Sequence, residues 1–202
     1  MSNYAEYGYS CHPVPLKYAG PGMHITPAPL AGLYVIELDV LDDRERPGGS
    51  FRTVFDADAL RHAGVPPFQP LQWNVSESRE GTLRGFHAEP WNKLVHVAAG
   101  RVFAAIADLR ADSATAGDVW TGELGRTRAL FVSAGLGNGF QALSDVAVYA
   151  YLVDQRWVAG VTYPAVAWDD PELAVRWPIT DERLALSARD RSNPTLREYW
   201  AS

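Results

Sequence analysis

The sequence predicts an all-β protein, a jelly-roll or double-stranded β-helix barrel with a few short peripheral helices. Three observations carry that expectation. From Leu33 onward, short runs rich in Val, Tyr, Phe and Leu alternate apolar and polar residues, the period of a half-buried strand. Glycine and proline, 17 and 14 residues of 202, punctuate those runs, as a fold of many short strands requires. Helical periodicity is nearly absent.

Taken in order, residues 1–30 are rich in Tyr, Pro and Gly and follow neither period. They read as an extension that packs on the barrel or on a partner subunit, ahead of one domain over residues 31–202. Strands are expected at residues 34–40, 50–55, 72–76 and 82–87. Residues 94–98 and 102–108 flank Ala99, Gly100 and Arg101, a tight hairpin because glycine accepts positive φ without a steric cost. In the second of these strands Phe103, Ala105 and Ala107 face away from Val102, Ala104 and Ile106. Further strands follow at 118–124, 129–132 and 146–153, with GRT and GLGNG as turns. Short helices are expected at 57–63, after Asp56, and at 181–188.

Composition narrows the function classes. A chain of 202 residues that is 47% hydrophobic and 21% charged suits one globular domain. Its net charge of −6 argues against a nucleic-acid partner, although a local arginine cluster can hold one phosphate group. Cys11 is the only cysteine, so no internal disulfide can form. No apolar run reaches bilayer length, and MSNYAEYGYSCHP lacks the basic start and hydrophobic core of a signal peptide. A cytoplasmic protein with no membrane contact is expected.

The segment LRGFHAEPWNKL (residues 83–94) gathers an arginine, a histidine and a lysine. Lys93 and Lys17 are the only lysines, against sixteen arginines, yet Lys93 taken alone reads first as a solvated strand edge. Barrels of this kind bind ligands in their mouth and interior, where His87, Lys93, Tyr151 and Asp190 are candidates together. Arg84 is a fifth. It lies three residues before His87, so on a regular strand the two point to opposite faces; both reach one site only if Gly85 marks a bulge or bend.

Five blocks, in order, carry a resemblance: QWNVSESREGTLRGFH (residues 72–87), KLVHVAAGRVFAAIADLR (93–110), GLGNGFQALSD (135–145), WDDPELAVRWP (168–178) and LSARDR (186–191). Over residues 33–199 the chain resembles the dTDP-4-dehydrorhamnose 3,5-epimerases, a family of cupin-fold, usually dimeric enzymes that act on nucleotide sugars without metal or cofactor. The resemblance implies that His87 is the general base and that Asp190 orients it. Such pairing is chemically apt, because a carboxylate on one imidazole nitrogen fixes the tautomer that leaves the other free. It further implies that Lys93 stabilises an enolate at the sugar's C4 oxygen. Tyr151, thirteen residues beyond Asn138, corresponds to the tyrosine that protonates the opposite face. An isolated tyrosine in AVYAYLV is otherwise a packing residue, and Tyr149 faces the same side. Arg84 corresponds to a diphosphate contact, Gln72 and Asn74 to polar nucleotide contacts, and Phe51 and Trp157 to aromatic walls.

Departures from the family pattern leave the base, the sugar and the inverted carbons open. Asn138 replaces a histidine, keeping hydrogen bonding without a change of charge. Gly48 and Thr53 stand where arginine and glutamate are expected, with Arg46 or Arg52 available to compensate. The loop AEPWN is short, and Trp91 is expected to narrow the pocket. Two other readings stay open. One is a sugar-nucleotide binder that has lost the chemistry, for which Asn138 argues; the other is a metal-dependent cupin using His87 and Glu89, with His96 a packed core residue.

Overall fold

Alternation within the strands decides which faces meet. The computed structural model describes residues 22–43 and 48–202; Cys11, Lys17 and Arg46 lie outside them. In chain order the strands are β1 (Met23–Pro27), β2 (Leu33–Leu38), β3 (Leu41–Asp43), β4 (Gly49–Phe51), β5 (Gln72–Ser78), β6 (Thr82–His87) and β7 (Lys93–Ala99). They continue as β8 (Val102–Asp108), β9 (Val119–Leu124), β10 (Arg128–Val132), β11 (Leu136–Ala142), β12 (Ala147–Val153) and β13 (Ala185–Leu186), with helices α1 (Ala57–His62) and α2 (Leu196–Ala201). One sheet runs β1-β2-β10-β7-β12-β5 and the other β13-β6-β11-β8-β9, while β3 and β4 form a separate ribbon. Two antiparallel-rich sheets packed face to face make the expected jelly-roll barrel.

Three apolar layers follow from the two faces of each sheet. Between the sheets lie Val95, Val97, Val102, Ala104, Ile106, Leu130 and Phe140. Phe86, Ala105, Ala107 and Leu109, from the outer face of the second sheet, pack against Val166, Leu173 and Trp177 of the C-terminal segment. Ile36, Leu94 and Phe131, on the outer face of the first sheet, are covered by Leu60 of α1 and Val65. Strand β8 is thus buried on both sides, as its two alternating sets predict. Asp56 caps α1 by accepting from the backbone N–H groups of Asp58 and Ala59.

Several expectations are revised. Met23–Pro27 pairs with β2, so the barrel begins before residue 31. The segment containing GLGNG is strand β11, paired on both edges; in the interior of a barrel, glycines mark close packing as well as turns. Residues 181–188 form turns and β13 rather than a helix. The C-terminal helix is α2, started by a reciprocal capping box between Thr195 and Glu198. No helix among the described residues is long and apolar enough to cross a membrane.

Candidate active site

The apolar interior stops at a stacked aromatic pair. The rings of Phe140 and Tyr149 lie 4.0 Å apart and within 13° of parallel, and they help line a cavity of about 250 Å³. One wall comes from the first sheet. Register pairs Tyr151 with Val95 and Tyr149 with Val97, so Lys93, Tyr149 and Tyr151 share the inward face of β7 and β12. The facing wall is Arg84 and His87 of β6 with Asn138 of β11.

Arg84 and His87 reach the same cavity because β6 is irregular. Its pairing with β11 shifts register between Asn138 and Phe140, the bulge that an i, i+3 pair on one side demands. Gly85 has φ 138°, and a Cβ there would lie 2.5 Å from the Cα of Gly139. Only glycine fits. Gly85→Ala is therefore expected to lower unfolding free energy by about 3 kcal/mol, read as a lower urea midpoint; a wild-type midpoint would show that the bulge tolerates a side chain.

His87 Nε2 lies 2.7 Å from Asp190 Oδ1. The Ser187 hydroxyl donates to the other carboxylate oxygen at 2.7 Å. Burial of Asp190 opposes ionisation, but the hydrogen bonds from His87, Ser187 and the Gly85 backbone outweigh it and hold the carboxyl below its usual range. An ionised Asp190 accepting from Nε2–H leaves Nδ1 as the free basic nitrogen of His87.

Lys93 is no solvated edge: it is only 3% exposed. Its ammonium donates to the Glu89 carboxylate and, at 3.3 Å, to the His87 carbonyl oxygen. Burial works against the charge of Glu89, yet the charge and hydrogen bond of Lys93 hold the carboxyl below its usual range. The pair is largely buried, and removing one member strands the other, which costs about 3–5 kcal/mol for a buried pair.

The two tyrosines differ in role. Tyr149 donates to Asn138 Oδ1 at 2.9 Å and is 1% exposed. Burial raises its phenol well above the ordinary value, the bond to Asn138 offsetting part of that. Tyr151 is only partly buried and lines the cavity. Desolvation raises its phenol, the charge of Glu89 adds to this, and Arg84 acts against it. It stays a proton donor at neutral pH.

Of the remaining candidates, Trp157 is at the cavity, whereas Gln72, Asn74 and Phe51 do not line it. Trp157 lines the cavity and is 51% exposed. Gln72 accepts from the Trp157 backbone N–H at 3.1 Å and donates to Asn74 at 2.6 Å, so the Gln72–Asn74 pair ties the Trp157 segment to β5. Phe51 lies outside the cavity, 60% exposed on the β3–β4 ribbon. Arg52 donates to the Arg126 carbonyl and does not reach the cavity either. Trp91 does not narrow the pocket; it is buried, with its ring 4.8 Å from that of Tyr163. His96 faces outward under Val54 and Phe55, where its ring nitrogen meets the Arg126 carbonyl oxygen at 3.0 Å and burial lowers its basicity. Ser76 and Arg189 also line the cavity. Nothing in their local sequence marks them, and Ser187 is recognisable only by its spacing to Asp190. Glu89, considered as a metal ligand with His87, is engaged by Lys93 instead.

A carboxylate-oriented imidazole on one wall, a phenol on the facing wall and a buried ammonium beside them can remove a proton from a carbon acid, hold the resulting oxyanion and return a proton to the other face. Comparison with known proteins agrees with that chemistry. The family described as dTDP-4-dehydrorhamnose 3,5-epimerase matches residues 27–198. The dTDP-4-dehydrorhamnose 3,5-epimerase of Pseudomonas aeruginosa is 36% identical over 163 residues, 78% of this chain and 86% of that protein. Among solved structures, NovW, a 4-keto-6-deoxy sugar epimerase from the novobiocin biosynthetic gene cluster of Streptomyces spheroides, superposes with TM-score 0.81 at 32% identity, covering 90% of this chain and 92% of that one. The Legionella pneumophila RmlC, solved in complex with dTDP-4-keto-L-rhamnose, gives TM-score 0.79 at 30% identity, covering 87% and 94%.

Proposed function

The chain belongs to the dTDP-4-dehydrorhamnose 3,5-epimerase family, and from that premise we propose that it epimerises a dTDP-linked 4-keto-6-deoxysugar at C3, C5 or both. The observation that carries this reading is the placement of the His87–Asp190 pair and Tyr151 on facing walls with Lys93 between them in sequence and beside them in the cavity. Nδ1 of His87 takes the proton from the carbon next to the C4 ketone. The electron pair of that C–H bond moves to O4, giving an enolate that the Lys93 ammonium stabilises. The Tyr151 hydroxyl then protonates the same carbon from the opposite face, inverting it. Arg84, at the rim, takes the diphosphate through its bidentate donors. Asn138 keeps Tyr149 in place and removes none of these groups, so its presence does not argue for a binder without chemistry.

The direct test is NMR of 4-keto sugar nucleotides in deuterated water. A dTDP-4-keto-6-deoxysugar should lose its C3 or C5 proton signals and give the inverted isomer. No exchange with any 4-keto sugar nucleotide would overturn the assignment.

The proposed unit is a homodimer in the cytoplasm. A lone cysteine is compatible with a reducing compartment. Trp73, Val75 and Leu71 are 68%, 56% and 57% exposed on β5 and the residue before it, and β5 is a sheet edge. An apolar edge of this kind calls for a partner, and the exposed Phe51 would then serve the partner's pocket. Trp73→Glu is expected to sediment as a monomer where the wild type sediments as a dimer; two dimers would place the interface elsewhere.

A further inference from the structure

The short loop between β6 and β7 carries a carboxylate into the cavity, and no role in the proposed reaction uses it. Glu89 stands two residues after His87 and four before Lys93, and its side chain is 16% exposed. It meets the Lys93 ammonium, whose side chain is 4% exposed, while a second N–H of that ammonium is directed at the His87 carbonyl. An ammonium has three N–H donors. With two committed to the protein, one direction remains.

We infer that Glu89 is a positioning residue for the epimerisation: it anchors the Lys93 ammonium so that its remaining N–H meets the substrate's ketone oxygen and the enolate formed from it. This inference rests on the epimerase reading above. Two physical facts favour it. A buried ammonium needs a compensating charge, and Glu89 supplies it without occupying the donor that the enolate requires. The rigid anchor also matters, because a flexible lysine stem loses rotamer freedom before it can act, and a misplacement of about 1 Å in a reacting group costs on the order of 10²-fold in rate. Seen this way, AEPWN is not merely a shortened connection. Its length sets Glu89 against Lys93, and Asn92 fixes the far end of the loop by donating to Asp154 through its backbone and side-chain nitrogens at 3.0 and 2.7 Å.

A second consequence separates positioning from packing. The charged and titratable groups around Tyr151 are Glu89 from the loop, Arg84 and His87 from β6, Lys93 from β7 and Tyr149 beside it on β12, with Arg189 at the rim. Among the described residues, Glu89 is the one anion lining the cavity. Replacing it by a neutral side chain leaves the Tyr151 phenol easier to ionise.

The experiment compares Glu89→Gln, Glu89→Asp, Lys93→Ala and the Glu89→Gln/Lys93→Ala double variant with the wild type, following deuterium exchange and inversion of a dTDP-4-keto-6-deoxysugar against pH. Glu89→Gln is expected to lower kcat for exchange by about 10²-fold with KM within about threefold, and to move the alkaline limb of inversion to lower pH. The double variant should be no slower than Lys93→Ala, since Glu89 acts through Lys93. Glu89→Asp, which keeps the charge, should hold the wild-type alkaline limb and also reads the charge effect if the Gln variant does not fold. A Gln variant with wild-type kcat and limb, losses that multiply fully in the double variant, or a shifted limb in the Asp variant would each overturn the inference. Exchange absent from the wild type would instead overturn the epimerase reading.

Discussion

In deuterated water, His87→Asn protein should return a dTDP-4-keto-6-deoxysugar with its C3 and C5 protons intact over a time in which the wild type has exchanged them. The expected loss is at least about 10³-fold, within the range for removing a positioned general base. Asparagine fills much of the same space and can still hydrogen-bond to Asp190, so the fold and the nucleotide contacts should survive, and substrate Kd should stay within about threefold. The size of the effect follows from isolation. Asp190 holds Nε2 and leaves Nδ1 directed away from the carboxylate, and Glu89, the carboxylate that lines the cavity, is bound to Lys93. Exchange at the wild-type rate would mean that some other group removes the proton.

Tyr151→Phe should divide the reaction in two. Wash-out of the ring proton persists because His87 is untouched, whereas inversion at one carbon falls by about 10²–10³-fold, leaving a deuterated but uninverted sugar. Tyr149→Phe is the matched control. That phenol already donates to Asn138 and lies behind the stacked Phe140 ring, so its loss should lower stability by about 1–3 kcal/mol through the orphaned acceptor while leaving the ratio of inversion to exchange unchanged. If Tyr151→Phe inverts every centre at the wild-type rate, the acid is a different group.

The barrel was legible in the sequence because most strands alternate, and alternation reports one buried face directly. Strand β11 was not: its glycines look like turn residues, and the close approach of Gly137 to Leu109 and of Gly139 to Gly85, Phe86 and Trp177 explains them. The helix expected at 181–188 failed for a related reason, since a run of helix-compatible residues carries no information about the β6 edge that captures Ala185 and Leu186. At the site, motif order picked out His87, Lys93, Tyr151 and Asp190, and the barrel brings His87, Lys93 and Tyr151 to one cavity with Asp190 directly behind His87. Glu89 was visible as a residue but not as a partner, because an ion pair across a loop depends on the path of the backbone between β6 and β7. Phe51 matched a motif position yet lies away from the cavity, which separates what a short block can say about correspondence from what it can say about distance.

The placement of the base and the acid on separate walls has a consequence for timing. In the proposed mechanism, one inversion leaves His87 with a proton it did not have and Tyr151 without one it had. Among the described residues no hydrogen bond joins the two side chains, so the enzyme leaves each turnover in a form mirrored with respect to the one that began it. In that mechanism recovery would pass through solvent. The reverse reaction can start from that mirrored form at once, while the forward reaction has to wait, so a fast exchange of protons with water becomes part of the catalytic cycle rather than a background event.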